Sequence, residues 1–78
     1  MRLSKRETAL MEYLIRGAGQ ILPREMILTY IWGVDAEVED GNLDNYIYFL
    51  RRRLRSVGAS AQIVTIHGTG YQLKERQP

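Results

Sequence analysis

Residues 41–57 read GNLDNYIYFLRRRLRSV, and their spacing decides the fold. On a helix of about 100° per residue, Leu43, Ile47, Leu50, Leu54 and Val57 fall on one narrow stripe. Alternating steps of four and three mark a core-facing helix. The opposite face gathers Asn45, Tyr48, Arg52 and Arg55, with Phe49 and Arg51 on its flanks. An amide, two aromatic rings and several arginines suit an ordered anionic surface that carries base edges. A merely solvated face needs no rings.

Length and composition narrow the surroundings of that helix. At 78 residues the chain suits one small domain, which buries roughly 60% of its unfolded surface. Its apolar content of 45% favours a packed domain over a disordered chain. With no cysteine, neither disulfides nor a thiolate zinc site can staple it, so the core must suffice. No apolar run reaches the roughly 18 residues of a membrane span. Glu7 and Glu12 interrupt what would be a signal-peptide apolar region. These features predict a soluble, cytoplasmic-type protein.

Charge is unevenly spread. Asp35, Glu37, Glu39 and Asp40 hold four of the nine acids, and outside that stretch eleven basic residues face five acidic ones. From Arg51 onward the count is six basic to one acidic. Blocks of one sign predict two working surfaces, the basic one fit for a polyanion. Arginines in the last turns also favour the helix macrodipole, by a few tenths of a kcal/mol each.

Enzyme chemistry has little to build from. His67 is the only histidine, and nucleophilic catalysis needs a nucleophile, a base and an orienting group. Gly68-Thr69-Gly70 has no helix N-terminus after it to complete a phosphate cradle. The expectation is a non-enzyme with no cofactor and no metal.

In chain order, Ser4 and Glu7 form a capping box that starts a helix at about Lys5. Leu10, Met11, Leu14 and Ile15 supply its apolar face. Gly17-Ala18-Gly19 ends it, through the left-handed conformation open to glycine. Ile21-Leu22 allows only a fragment of strand. Pro23 suits the first turn of a second helix, which runs over residues 24–32 and buries Met26, Ile27, Tyr30 and Ile31. Residues 33–40 are acidic and read as an exposed loop. Gly41-Asn42 opens the third helix with Asn42 as N-cap, Asp44 sits favourably in the first turn, and Gly58 stops it. From Gln62 the period changes to two, and a β-hairpin turns at Gly68-Thr69-Gly70. Helix, short strand, helix, loop, helix, hairpin is the order of an α+β winged helix-turn-helix.

Leu3-Ser4 with Glu7, Arg24-Glu25, and Ile31-Trp32-Gly33 open and close the first two helices. Leu43-Asp44, Ile47, Leu50-Arg51-Arg52 and Leu54 follow. Ile63, Thr65-Ile66 and Gly68-Thr69-Gly70-Tyr71 complete the series. Each match alone is weak, but in order and at this spacing the chain, from Leu3 to Leu73, resembles the OmpR/PhoB-type effector domain of bacterial two-component response regulators. The resemblance implies sequence-specific binding of double-stranded DNA for transcriptional regulation. The third helix, over residues 42–57, would enter the major groove, and a wing over residues 63–73 would reach the minor groove or backbone.

At the matching positions, Asn42, Asn45, Tyr46, Tyr48, Phe49, Arg52 and Arg55 would line the DNA-facing surface. Arg51 would clamp a phosphate, and Thr65, His67 and Thr69 would belong to the wing. The 33–40 loop, with Asp35, Glu37, Glu39 and Asp40, resembles one that touches RNA polymerase in some members. Binding as a homodimer on DNA and a receiver domain in the full-length protein are also implied.

The departures are specific. His67 stands where the family commonly has arginine, Tyr48-Phe49 replace polar or basic residues, and Pro23 replaces a serine or threonine cap. The family's N-terminal four-stranded sheet does not fit in Met1 to Leu3, so the expected fold lacks it. A protein-interaction module using Tyr48, Phe49 and the hairpin is the rival reading, since fold alone does not settle function.

Overall fold

The computed structural model describes residues 3–38 and 40–76. Glu39, one of the acids assigned to the loop, lies outside them. The elements are α1 (Lys5–Arg16), β1 (Leu22–Pro23), α2 (Arg24–Trp32), α3 (Asp40–Ser56), β2 (Ala61–Ile66) and β3 (Gly70–Glu75). The expected winged helix is present. β1 adds to the hairpin, making a three-stranded antiparallel sheet in the order β1-β3-β2. No four-stranded sheet occurs among the described residues.

α1 begins at the predicted capping box. The Ser4 amide donates to the Glu7 carboxylate and the Glu7 amide to the Ser4 hydroxyl, both at 3.1 Å. The stripe at 43, 47 and 50 then meets α1 and α2 in the core. Leu10, Leu14, Ile27, Leu43, Ile47 and Leu50 are all at most 1% exposed, each burial contributing roughly 1.5–3 kcal/mol. Ile63, Tyr71 and Leu73 close the core from the sheet.

Several local expectations are corrected. α3 starts at Asp40, so Asn42 lies inside its first turn and is not the N-cap. Val57 follows the last helical residue and is 64% exposed, because the helix ends before it can face inward. Met26 and Tyr30 of α2 are more than half exposed, as is Ile15 of α1. α2 buries only Ile27 fully, since a nine-residue helix can turn just one narrow edge to the core. Tyr30 lies on the surface against the Tyr13 ring, 4.6 Å between centroids. The left-handed glycine expected in the 17–19 run is Gly19, with φ 86°.

Pro23 is the N-cap residue of α2 rather than part of its first turn, and it offers no side-chain cap. The sheet supplies one. The Arg24 amide donates to the Thr69 carbonyl of the wing turn at 2.9 Å, satisfying one of the helix's orphan donors. β1 can lie this close to β3 because residue 70 is glycine. A β-carbon there would come within 2.0 Å of the Leu22 carbonyl oxygen and 2.8 Å of the Arg24 nitrogen.

Two glycine substitutions should therefore move stability in opposite directions. Gly70→Ala must part β1 from β3 and is expected to cost ~2–4 kcal/mol, at the upper end for overpacking. Gly41 is helical, and a β-carbon added there would meet nothing within 4 Å. Its replacement by alanine should gain ~0.5–1 kcal/mol. Urea unfolding of the two variants checks both signs.

Candidate nucleic-acid interface

α3 presents its outward face as the sequence pattern predicts. Asn42, Asn45, Tyr48, Phe49, Arg52 and Arg55 are exposed. Tyr48 and Phe49 meet edge to face at 5.6 Å between centroids, and the Arg52 guanidinium lies 5.9 Å from the centre of the Tyr48 ring. On the wing, Thr65, His67 and Thr69 are exposed around the turn, where Gly68 takes the positive φ of 78°. An open groove of about 610 Å³ runs from Asp44 in the first turns of α3 to that turn.

Tyr46 and Arg51, both predicted interface residues, reach partners on other elements. Tyr46 is half-buried and packs edge to face on Trp32 at 5.6 Å, on the side of α3 that faces α1 and α2. The structure thus sets it apart from the exposed face. Arg51 reaches the wing instead of standing free. Its Nε donates to the Ile63 carbonyl at 2.9 Å and a terminal nitrogen to the Thr65 hydroxyl at 2.8 Å, with the guanidinium 5.9 Å from the Tyr71 ring centre. Asp35 and Glu37 are exposed in the loop, whereas Asp40 belongs to α3.

A carboxylate lining the groove joins the parts. Asp44 accepts from both terminal nitrogens of Arg24, at 2.7 and 3.3 Å, and from the Tyr71 hydroxyl. One side chain of α3 therefore ties the start of α2 to strand β3. The Arg24 guanidinium, and then the Tyr71 hydroxyl, hold the Asp44 carboxyl below its ordinary value. Burial, reinforced by the Asp44 carboxylate, pushes the Tyr71 hydroxyl up. A second tie lies across the molecule, where Arg53 of α3 donates to Glu7 at 3.1 Å. Glu7 is only 8% exposed, and the Ser4 amide is the main cause of its lowered pKa, with Arg53 assisting against burial.

Sequence reading missed these ties. It read Asp44 as a dipole-stabilising acid and Tyr71 as part of the hairpin motif, without joining them. One signal was available. Arg24 opens α2, where a cation opposes the helix macrodipole, so its position pointed to an acidic partner elsewhere. No comparable sign marked Arg53, whose place near a helix C-terminus is favourable on its own.

Fold and family together define the class: a winged-helix transcriptional regulatory domain. The chain belongs to the family described as "Transcriptional regulatory protein, C terminal", whose model matches residues 1–73. It is 40% identical over 76 residues to the transcriptional regulatory protein DltR of Streptococcus agalactiae serotype III (strain NEM316), covering 97% of this chain and 34% of that protein. The DNA-binding domain of Bacillus subtilis CssR superposes with a TM-score of 0.79 at 30% identity, over 92% of this chain and 77% of that one. The DNA-binding domain of the response regulator AdeR, solved with an intercistronic region, has a TM-score of 0.81 over 96% and 74% of the two chains. At 20% identity it speaks for the fold alone. The chain spans about a third of the length of the curated relatives it matches. No helix among the described residues is long and apolar enough to cross a membrane.

The two ties make acid stability specific. Because the folded pKa values of Asp44 and Glu7 are depressed, their contribution is complete above the unfolded values near pH 4–4.5 and is lost as pH falls through the folded ones. The urea midpoint should hold from pH 7 to about 5 and drop below that. Asp44→Asn should lower the midpoint at neutral pH and flatten the acid drop. An Asp44→Asn protein with the full acid drop would remove Asp44 from that role. For Arg51, lysine keeps the charge but not the fork that spans two acceptors. Arg51→Lys is expected to speed amide exchange across residues 63–66 by about tenfold, the scale of one charged hydrogen bond, with α1 amides unchanged.

Proposed function

We propose that this domain binds specific double-stranded DNA sequences as the output domain of a two-component response regulator. In this reading α3 lies in the major groove and the wing meets the adjacent minor groove or backbone. The observation that carries it is that the outward residues of α3 and those of the wing turn are both exposed, with an open groove between Asp44 of α3 and the wing. An α-helix of 10–12 Å diameter matches a major groove about 12 Å wide. Family membership and the likeness to the CssR DNA-binding domain support the same reading.

Roles follow from side-chain chemistry. Asn45 can pair bidentately with adenine, and Arg52 with guanine O6 and N7. Asn42, Arg55, Thr65 and Thr69 are suited to phosphates, which take most contacts in such interfaces. His67 at the wing turn reaches toward the minor groove or backbone without arginine's permanent charge. Arg51 contributes by holding the wing and lending positive charge to the groove beside it. Tyr46 supports α3 through Trp32. The exposed acids of the 33–38 segment are consistent with a contact to RNA polymerase, and assembly as a homodimer on DNA and an attached receiver domain complete the proposal. The relatives' greater length leaves room for such a domain.

Salt dependence distinguishes this reading from a protein-interaction module. Contact with about 4–6 phosphates predicts a log–log slope of binding against salt near −4 to −5. Anisotropy titration against a random-sequence duplex pool and a duplex selected from it provides the measurement. No binding to any duplex at low salt would reject the reading. Arg52→Ala should weaken the selected duplex by ~1–3 kcal/mol, and an equal loss on all sequences would make it a phosphate contact.

A further inference from the structure

The aromatic pair on α3 is the surface feature that phosphate anchoring and hydrogen-bonded base readout leave unexplained. Tyr48 is 55% exposed and Phe49 48% exposed, on the face turned away from the core. They meet edge to face, so each ring restricts the other, and Arg52 over Tyr48 restricts it further. Their neighbours on this face are Asn45, Arg52 and Arg55, polar groups that cannot bury the rings. In the major groove the donors and acceptors of the base edges are polar, and the apolar group presented there is the C5-methyl of thymine.

We infer that Tyr48 and Phe49 form a reader of pyrimidine C5-methyl groups, and that they set the domain's sequence preference through thymine and, equally, 5-methylcytosine. The inference deepens the DNA-binding reading and rests on it. The chemistry of Phe49 commits it to the methyl and not to the pyrimidine. Thymine and 5-methylcytosine differ at the exocyclic group on C4 but carry the same methyl, and the Phe49 ring, unlike Tyr48 with its hydroxyl, has no donor or acceptor with which to tell O4 from N4. Arg52 is placed to add a polar contact nearby. Residues four apart on a helix are about 5–6 Å apart, so a guanine taken by Arg52 would lie within about two base steps, at 3.4 Å each, of the methyl beside Tyr48. Methylation of cytosine at such a step would then raise affinity for a site that its unmethylated form leaves weaker.

The test uses the chain as it is and duplexes selected from a random pool. The most enriched duplex is resynthesised with each thymine replaced singly by deoxyuridine, which removes only the methyl. One or two positions should weaken by about fourfold each, the value of burying one methyl-sized group at ~0.8 kcal/mol. At those positions a C·G pair is compared with its 5-methylcytosine form, and the methyl should again strengthen binding by about fourfold. In Phe49→Ala or Tyr48→Ala the deoxyuridine effect should vanish at one of these positions, with the salt slope unchanged. Both rings are exposed, and the deoxyuridine series on the unaltered protein needs no variant. Deoxyuridine tolerated within 1.5-fold at every position overturns the inference while leaving DNA binding intact. So does a penalty that survives undiminished in both ring variants. Failure of every duplex to bind rejects the DNA-binding reading and the inference with it.

Discussion

The Asp44 carboxylate is the interaction on which the shape of the exposed surface depends. It lies early in α3 and binds the first residue of α2 on one side and the Tyr71 hydroxyl of β3 on the other. The helix, its supporting helix and the wing are thereby fixed at one point. Arg24 and Asp44 remain partly open to solvent, so the tie contributes less to overall stability than to orientation, as expected for an exposed ion pair. The geometry of three convergent hydrogen bonds is what counts here. Arg51, about two turns further along α3, repeats the connection to the wing through Ile63 and Thr65.

A small domain gains from such connections. Six aliphatic side chains form the fully buried centre, and they determine that α1, α2 and α3 pack together. They do not determine where a hairpin leans. Non-directional burial leaves that choice open, and directional polar contacts at the core's edge make it. The backbone contributes in the same way. Thr69 caps α2 from the wing turn, and Gly70 lets β1 approach β3. The wing is thus part of the helical body's construction as well as a surface of its own.

Much of the fold was legible in the sequence because it rests on local periodicity. The capping box at Ser4 and Glu7, the stripe at Leu43, Ile47 and Leu50, and the change of period near Gln62 are near-neighbour patterns. The errors share a cause as well. Met26, Tyr30 and Val57 are apolar residues near a predicted inner face, yet which of them is covered depends on how far each helix extends and what lies opposite. The glycine run after α1 was rightly read as a stop, and the left-handed residue within it is Gly19. For the exposed face, Asn45, Tyr48, Phe49 and Arg52 needed only helical phase to be recognised. Tyr46 and Arg51 lie beside that face, and only their contacts reveal Trp32 and the wing as their partners.

The stretch at 41–57 by itself determined that one helix would carry a core stripe and an opposite face of rings, amide and arginine. Residue spacing and side-chain chemistry suffice for that, since both are properties of a helix in isolation. The matched motifs determined the family. The tertiary structure alone decided which polar groups work in pairs: Glu7 with Arg53, 46 residues apart, and Asp44 with Tyr71, 27 residues apart. No local pattern joins residues so distant in the chain, because their meeting is set by the packing of helices and sheet between them.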